Sequence, residues 1–221
     1  EILDKDVSFC IFDYESALEL SNTANLPSRF GAFEIQAFKE GKKEHLAIYK
    51  KPFGEVVNVR IHSECLTGDA LGSLKCDCRD QLIYGLEYIN NHGCRDQLEA
   101  SLKYIEEHGG MVIYLRQEGR NIGLFNKVNA YHLQDEGLDT IEANHQLGFK
   151  ADERTYEIVD FILKHFGIEK INLLTNNPKK LSGLKCVQIA SRVPIVIHAN
   201  KFNENYLRVK KEQMGHMLDE N

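Results

Sequence analysis

The 221-residue chain has no tryptophan, only four prolines and three methionines. No apolar run approaches the roughly 20 residues that a membrane-spanning helix needs, and no charged, apolar and small-residue succession of a secretory signal opens the chain. A cytoplasmic protein without membrane contact is therefore expected. Positive charge is scarce as well: 27 Lys and Arg stand against 33 Asp and Glu, a formal net charge of −6. The dense basic surface that drives nucleic-acid binding is missing, so no nucleic acid is expected as a partner, although a small anion could still be held in a local basic pocket. Evenly spaced cysteines are absent too. The six present, three of them crowded among acidic residues, fit a reducing compartment and metal binding better than a disulfide framework. The length allows one full core or two small domains.

What the chain does contain begins with HSECLTGDALGSLKCDC, residues 62–78, which carries Cys65, Cys76 and Cys78. Three thiolates suffice to hold Zn²⁺, and a catalytic zinc takes three protein ligands and leaves a fourth position to water or substrate. Water there becomes a nucleophile near neutral pH. A structural zinc ribbon would show two cysteine pairs, whereas here one Cys-x-Cys pair meets a single distant Cys65. Closure of the site by Cys94 or His62 would make it structural, and three reduced, buried cysteines acting as small hydrophobes would need no metal. Spacing alone leaves these readings open.

Residues 1–25 mix apolar and acidic residues and are set apart as an N-terminal extension, open to being the remnant of a longer chain; 26–221 form the catalytic domain. Strands are expected at 33–38, 46–49 and 56–61 from their β-branched and aromatic content, with turns at 41–43 and 52–54. The last of these delivers Arg60 and His62 to the cysteine loop. Short apolar runs at 111–115 and 171–174 read as strands buried on both faces. Between them Tyr156, Val159, Ile162, Leu163 and Phe166 recur at helical spacing until Gly167 stops the run. The pattern predicts an α/β fold, a mixed β-sheet core flanked by helices, with the zinc-bearing loop and the active-site loops at strand ends.

One internal repeat stands out. CRDQLIYGLEYINNHG, residues 78–93, is followed at once by CRDQLEASLKYIEEHG, residues 94–109, with ten of sixteen positions identical. Sixteen residues turn an α-helix by about 160° beyond whole turns, so one continuous helix would present opposite faces in the two copies. Two helices broken at Gly93 are expected. Two units are too few for a solenoid, which leaves a local duplication beside the metal loop.

Further chemistry lies at the strand ends. RQEGRNIG, residues 116–123, combines two arginines, a carboxylate and two glycines: glycine permits close backbone approach, and arginine offers a planar fork to phosphate. A surface salt-bridge cluster is the plainer alternative. Thr175 to Lys180 sets a hydroxyl and two ammonium groups after a strand, suited to an anion or, more blandly, a helix start with a solvated lysine pair. Asp152-Glu153-Arg154 pairs a carboxylate with a guanidinium at a helix start, where simple capping by Asp152 is the common role. Tyr131 and His132 fall mid-helix, and His145 sits among polar residues.

Together HSECLTGDALGSLKCDC, RQEGRNIGLFNK, EANHQLGF, ADER and LLTNNPKK, in this order and with MGH at 214–216, resemble GTP cyclohydrolase II over roughly Leu26 to Leu218. The resemblance implies one Zn²⁺ per subunit on Cys65, Cys76 and Cys78, and a GTP pocket lined by Arg60, Ile61, His62, Ser63, Glu64, Glu118, Gly119 and Arg120. It also puts Thr140, Thr175 and Lys180 on the nucleotide, Asp152 as proton acceptor, Arg154 as a proposed nucleophile toward the α-phosphate, and Tyr131 near the base. Because guanidinium stays protonated, charge stabilisation suits Arg154 at least as well. The implied reaction is hydrolysis of GTP to formate, pyrophosphate and 2,5-diamino-6-(5-phosphoribosylamino)pyrimidin-4-one, with Mg²⁺ on the triphosphate and a homodimer as the working form.

The chain departs from the family in two places. The family has one helix after the CDC loop, with a nucleotide-contacting glutamine three residues past the last cysteine. Both Gln81 and Gln97 fit that position locally; Gln81 is expected to serve because it keeps the spacing from Cys78, with the duplicate bulging outward. The segment after Lys180, LSGLKCVQIAS, looks shorter than the family's helix and strand before Arg192-Val193-Pro194.

Overall fold

The computed structural model describes residues 18–73, 94–175 and 177–193. Eight strands form one mixed sheet: β1 (Leu18–Leu20), β2 (Ala24–Ser28), β3 (Gly31–Glu40), β4 (Lys43–Lys50), β5 (Val57–Ser63), β6 (Gly110–Leu115), β7 (Lys170–Leu174) and β8 (Gln188–Val193). Helices α1 (Leu66–Asp69), α2 (Cys94–His108), α3 (Gly123–Asp135), α4 (Thr140–Gln146), α5 (Glu157–His165) and α6 (Pro178–Gly183) connect them. The spatial order is β1-β3-β4-β6-β5-β7-β8, with β2 also on β3. β3, β4 and β6 pair antiparallel, whereas β6, β5, β7 and β8 run parallel. The α/β mixed sheet expected from the sequence is the observed one.

β1 and β2 both pair with β3 antiparallel, Leu18 to Leu20 against Glu40 to Phe38 and Ala24 to Ser28 against Ile35 to Gly31. Ser21 bridges them: its amide donates to the Ala37 carbonyl at 3.0 Å and its Oγ accepts from the Ala37 amide at 2.8 Å. The boundary drawn at residue 25 falls inside β2, and β1 and the first residues of β2 belong to the sheet.

Side-chain alternation decides which face each strand residue serves. Val57, Val59, Ile61, Met111, Ile113 and Leu115 point to one face, where Ile158, Val159, Ile162 and Leu163 of α5 cover them. Each fully buried aliphatic side chain there stabilises by roughly 1.5–3 kcal/mol over an exposed one. Val112 and Ile48 point to the other face, under Leu102 and Ile105 of α2. Arg60 and His62 alternate with Val59 and Ile61, so they share the α2 face.

Gly167, at φ +67°, closes α5 in the left-handed conformation, with Ile168 N donating to Leu163 O at 2.9 Å. Lys180 lies within α6, and the segment after it completes that helix and leads into β8. Asp160, buried on α5, holds that connection by accepting from the amides of Lys185 and Cys186 at 3.0 and 3.1 Å. Among the described residues no helix is long and apolar enough to cross a membrane.

Candidate active site

The four parallel strands end on one side of the sheet, and the loops leaving β5, β6 and β7 converge there, where open α/β sheets bind their ligands. β5 runs into α1 through Glu64 and Cys65. β6 runs into the 116–122 turn, where Gly119, Arg120 and Asn121 take φ values of +61°, +59° and +76°. Left-handed backbone is unfavourable for Arg and disfavoured for most side chains. Outside bonds hold it: Glu153 N donates to Arg120 O at 3.1 Å, Arg120 Nη1 to Ala151 O at 3.1 Å, and Asn121 Nδ2 to Glu153 O at 2.9 Å. These bonds bring the Asp152–Arg154 stretch to the site.

Arg60 is buried, with Nη1 donating to Leu174 O at 3.1 Å and Nη2 to Gln97 Oε1 at 2.7 Å. The glutamine found beside Arg60 is therefore that of the second repeat copy; Gln81 lies outside the described residues. The side chain of Ile61 is in the core under α5, and its contribution toward the site is its carbonyl, which accepts from Lys180 Nζ at 2.7 Å. That bond and 94% burial fix Lys180.

His62 stacks on Tyr114 at 5.3 Å between centroids, and its Nε2 faces Asp69 Oδ1 at 3.1 Å. Burial pushes the imidazole below its ordinary pKa against the opposing pull of Asp69. The neutral ring then carries its proton on Nε2. His62 Nδ1 and Ser63 Oγ are buried without a hydrogen-bond partner among the described residues, as expected of groups that face a ligand. Glu64 is ion-paired with Arg116, Nε to Oε2 at 2.8 Å.

Cys65 caps α1, and Asp69 Oδ2 accepts from both its amide at 3.0 Å and the Tyr114 hydroxyl at 2.7 Å. Burial, assisted by Asp69, pushes the Tyr114 phenol well above its ordinary pKa. Lys127 Nζ lies 3.0 Å from Cys65 Sγ and 2.7 Å from Glu118 Oε1. Burial works against the ammonium charge, but the hydrogen bonds to Glu118 and Cys65 outweigh it and raise the Lys127 pKa. Glu118 Oε2 also accepts from Leu66 N at 2.6 Å, so this carboxylate joins the start of α1 to α3. Tyr131, one turn after Lys127, meets Thr67 Oγ1 at 3.2 Å, while the Lys127 ammonium lies 5.7 Å from its ring centre. Lys127, Asp69, Tyr114 and Thr67 complete the cluster without having been singled out from the sequence. The spacing of Lys127 and Tyr131, four residues apart on one helix, is the signal that was there to read.

Arg154 grips Asp152 with Nε at 2.8 Å and Nη2 at 2.7 Å. Thr175 is buried and accepts on Oγ1 from Asn177 N at 3.0 Å. Thr140 opens α4, which Asp139 and Glu142 cap, and accepts from Gln134 at 3.3 Å.

Cys76 and Cys78 lie outside the described residues, and among the described ones no three His, Cys, Asp or Glu side chains form a metal-holding group. The described part of the donor set still suits a thiophilic metal. Cys65 and Cys94 are buried, adjacent and in no disulfide, and a Cβ on Gly68 would come within 3.0 Å of Cys65 Sγ and 2.9 Å of Cys94 Sγ. The glycine leaves a cradle between two sulfurs, the ligand type that selects zinc.

Buried charge, a thiol pair and strained glycine-rich backbone gathered at parallel strand ends define the active site of an α/β enzyme. The chain matches the GTP cyclohydrolase II family over residues 19–94 and 90–194, two stretches that meet in the repeat. It is 70% identical to the GTP cyclohydrolase-2 of Campylobacter hominis over 92% of this chain and 97% of that one. The Helicobacter pylori GTP cyclohydrolase-2 is 52% identical, over 91% and 98%. A solved two-domain 3,4-dihydroxy-2-butanone 4-phosphate synthase from A. baumannii aligns at a TM-score of 0.43 and 19% identity, over 81% of this chain and 41% of that one. The chain belongs to the GTP cyclohydrolase II family.

Proposed function

We infer that this chain hydrolyses GTP to formate, pyrophosphate and 2,5-diamino-6-(5-phosphoribosylamino)pyrimidin-4-one, the first step of riboflavin biosynthesis, as a cytoplasmic homodimer with one Zn²⁺ per subunit and Mg²⁺ on the triphosphate. The observation that carries the reading is the contact of Cys65 with the Lys127 ammonium at 3.0 Å, inside a cluster that also holds Tyr131 through Thr67. A cation beside a thiol favours the thiolate, the form that binds metal. Cys65 would help to hold zinc, which when bound would supply Lewis acidity and an activated water near neutral pH.

The protein's own groups do the rest. Arg60, fixed at both ends of its guanidinium, sets a positive charge under the nucleotide, and His62 offers Nδ1 as an acceptor. Tyr131 stands over the same loop as Cys65, placed to assist the second hydrolysis that frees formate. Arg154 brings charge to the triphosphate, with Asp152 orienting its plane and able to take up a proton. A guanidinium so held serves as an electrostatic clamp rather than a nucleophile.

Zinc-replete protein incubated with GTP is expected to release formate and pyrophosphate in equal amounts and to stop on chelation. Zinc and GTP binding without either product would move the reading to a zinc-stabilised GTP-binding protein impaired by its duplicated helix. The seating of α2, with Gln97 on Arg60, favours activity.

A further inference from the structure

The duplication gives this chain two copies of what the family places after the metal loop: Cys78 with Gln81, and Cys94 with Gln97, each within CRDQL. Resting on the zinc-dependent reading above, we propose that the second copy holds the functional register. Cys94 would then join Cys65 in holding the metal, and Gln97 would be the amide beside the nucleotide, in place of Cys78 and Gln81.

Cys94 is only 1% exposed and Cys65 only 3%, and both sulfurs border the space that a Cβ on Gly68 would fill. Gln97 lies one turn further on the same face and takes its hydrogen bond from Arg60 at 2.7 Å. One helix thus supplies both a sulfur beside Cys65 and an amide on the arginine of the pocket.

The sequence differences between the copies explain why the second one is seated. α2 passes into β6 through Gly109 and Gly110, at φ +71° and +127°, and a Cβ at Gly110 would lie 2.2 Å from the Asn58 carbonyl oxygen. The equivalent of Gly110 after the first copy is Cys94, which that junction does not admit. Glu106 pairs with Lys50 at 2.5 Å, where the first copy has Asn90. Buried Ser101 donates to Gln97 O at 2.6 Å, where the first copy has Gly85, a poor residue for a helix interior. The buried face itself, Cys-x-x-Gln with Leu102 and Ile105, recurs in the first copy as Cys78, Gln81, Leu86 and Ile89, so burial alone does not choose between them.

The test is zinc content and cobalt-substituted absorption of Cys94→Ser and Cys78→Ser, with circular dichroism to verify the fold. Loss of an outer partner of a metal site weakens affinity about 10- to 100-fold, and loss of a ligand no less. Cys94→Ser is expected to show that loss together with weaker thiolate-to-cobalt charge transfer, whereas Cys78→Ser keeps its metal and spectrum. The reverse pattern overturns the proposal. Loss in both variants also overturns it, because the site is then closed by all the thiolates. Should Cys94→Ser not fold, alkylation of the unmutated protein followed by peptide mass spectrometry decides. Zinc is expected to slow labelling of Cys94 relative to chelated protein and to leave Cys78 labelling unchanged; zinc protection of Cys78 instead overturns the assignment. Unmutated protein that releases formate while relying on Cys78 would sink the register and spare the activity. Protein that binds no zinc would sink both.

Discussion

Arg60 on β5 and Gln97 on α2 meet at 2.7 Å, Nη2 to Oε1, in a place 5% exposed at either residue. The contact joins the central parallel strand to the helix of the duplicated segment. Replacing Gln97 by leucine keeps the bulk and removes the acceptor. A hydrogen bond to a charged group contributes about 1.5–3 kcal/mol, so kcat/KM for GTP should fall on the order of 10- to 100-fold. Unchanged steady-state kinetics would show that Gln97 serves packing alone.

Glu118 is expected to matter for stability as much as for the nucleotide. Its oxygens take the Lys127 ammonium and the amides of Leu66 and Gly119. Glu118→Ala leaves Lys127 buried without its carboxylate and should cost about 3–5 kcal/mol, the range for breaking one side of a buried ion pair. Urea unfolding of Glu118→Ala, Lys127→Met and the double variant checks this, and the double variant should fall well short of the sum. Additive losses would separate the two residues.

Gly68 should be required for metal rather than for folding. Alanine there places a Cβ 2.9 to 3.0 Å from the sulfurs of Cys94 and Cys65. Competition with a chromogenic chelator should show zinc affinity at least about tenfold weaker. Undiminished affinity would mean that the space between the sulfurs is not used.

Much of this arrangement is legible in the sequence, for physical reasons that differ by element. β6 and β7 are short apolar runs between polar loops, and α5 carries its apolar residues at helical spacing, so burial writes them into the chain. β1, β2 and β8 are exposed or half-exposed throughout and leave no apolar period to read. Ile61 shows the limit at the site: a motif names the residue, but the pleat of β5 sends its side chain to the core and leaves only its carbonyl at Lys180. Lys127 reaches Cys65 across 62 residues, a contact that only the tertiary fold makes. Gln81 and Gln97 are locally equivalent, and one difference between their surroundings is Gly110, where α2 joins β6, a feature that gains meaning once the Asn58 carbonyl is seen beside it.

His45 should make stability depend on pH. Its Nδ1 accepts from the Arg116 amide at 3.1 Å and its Nε2 faces Glu40 at 3.1 Å. Burial lowers its pKa below the ordinary 6.5, while Glu40 pulls it upward and Lys43 and Arg116 push it down. The unfolded chain therefore binds the proton more readily, so this contribution is fully present above pH 6.5 and is lost as pH falls through the folded value. Urea midpoints of the native protein and His45→Gln should converge on acidification from pH 7.5. A constant difference would contradict a neutral, buried His45.

Arg154→Lys should separate geometry from charge. Lysine keeps the charge but loses the two-pronged grip on Asp152, Nε at 2.8 Å and Nη2 at 2.7 Å. Misplacement of this kind costs roughly 100-fold in turnover, and the thermal midpoint should change little. Near-native turnover would show that charge suffices there.

The central claim is that the carbon between the two imidazole nitrogens of GTP leaves as formate. GTP labelled with ¹³C at C8, followed by ¹³C NMR in the presence of zinc-loaded protein, tests it at the atom concerned. The account predicts that the purine C8 resonance disappears and that free formate replaces it in equal amount. Label retained in the purine, or held in a formamide that never releases it, would contradict the account.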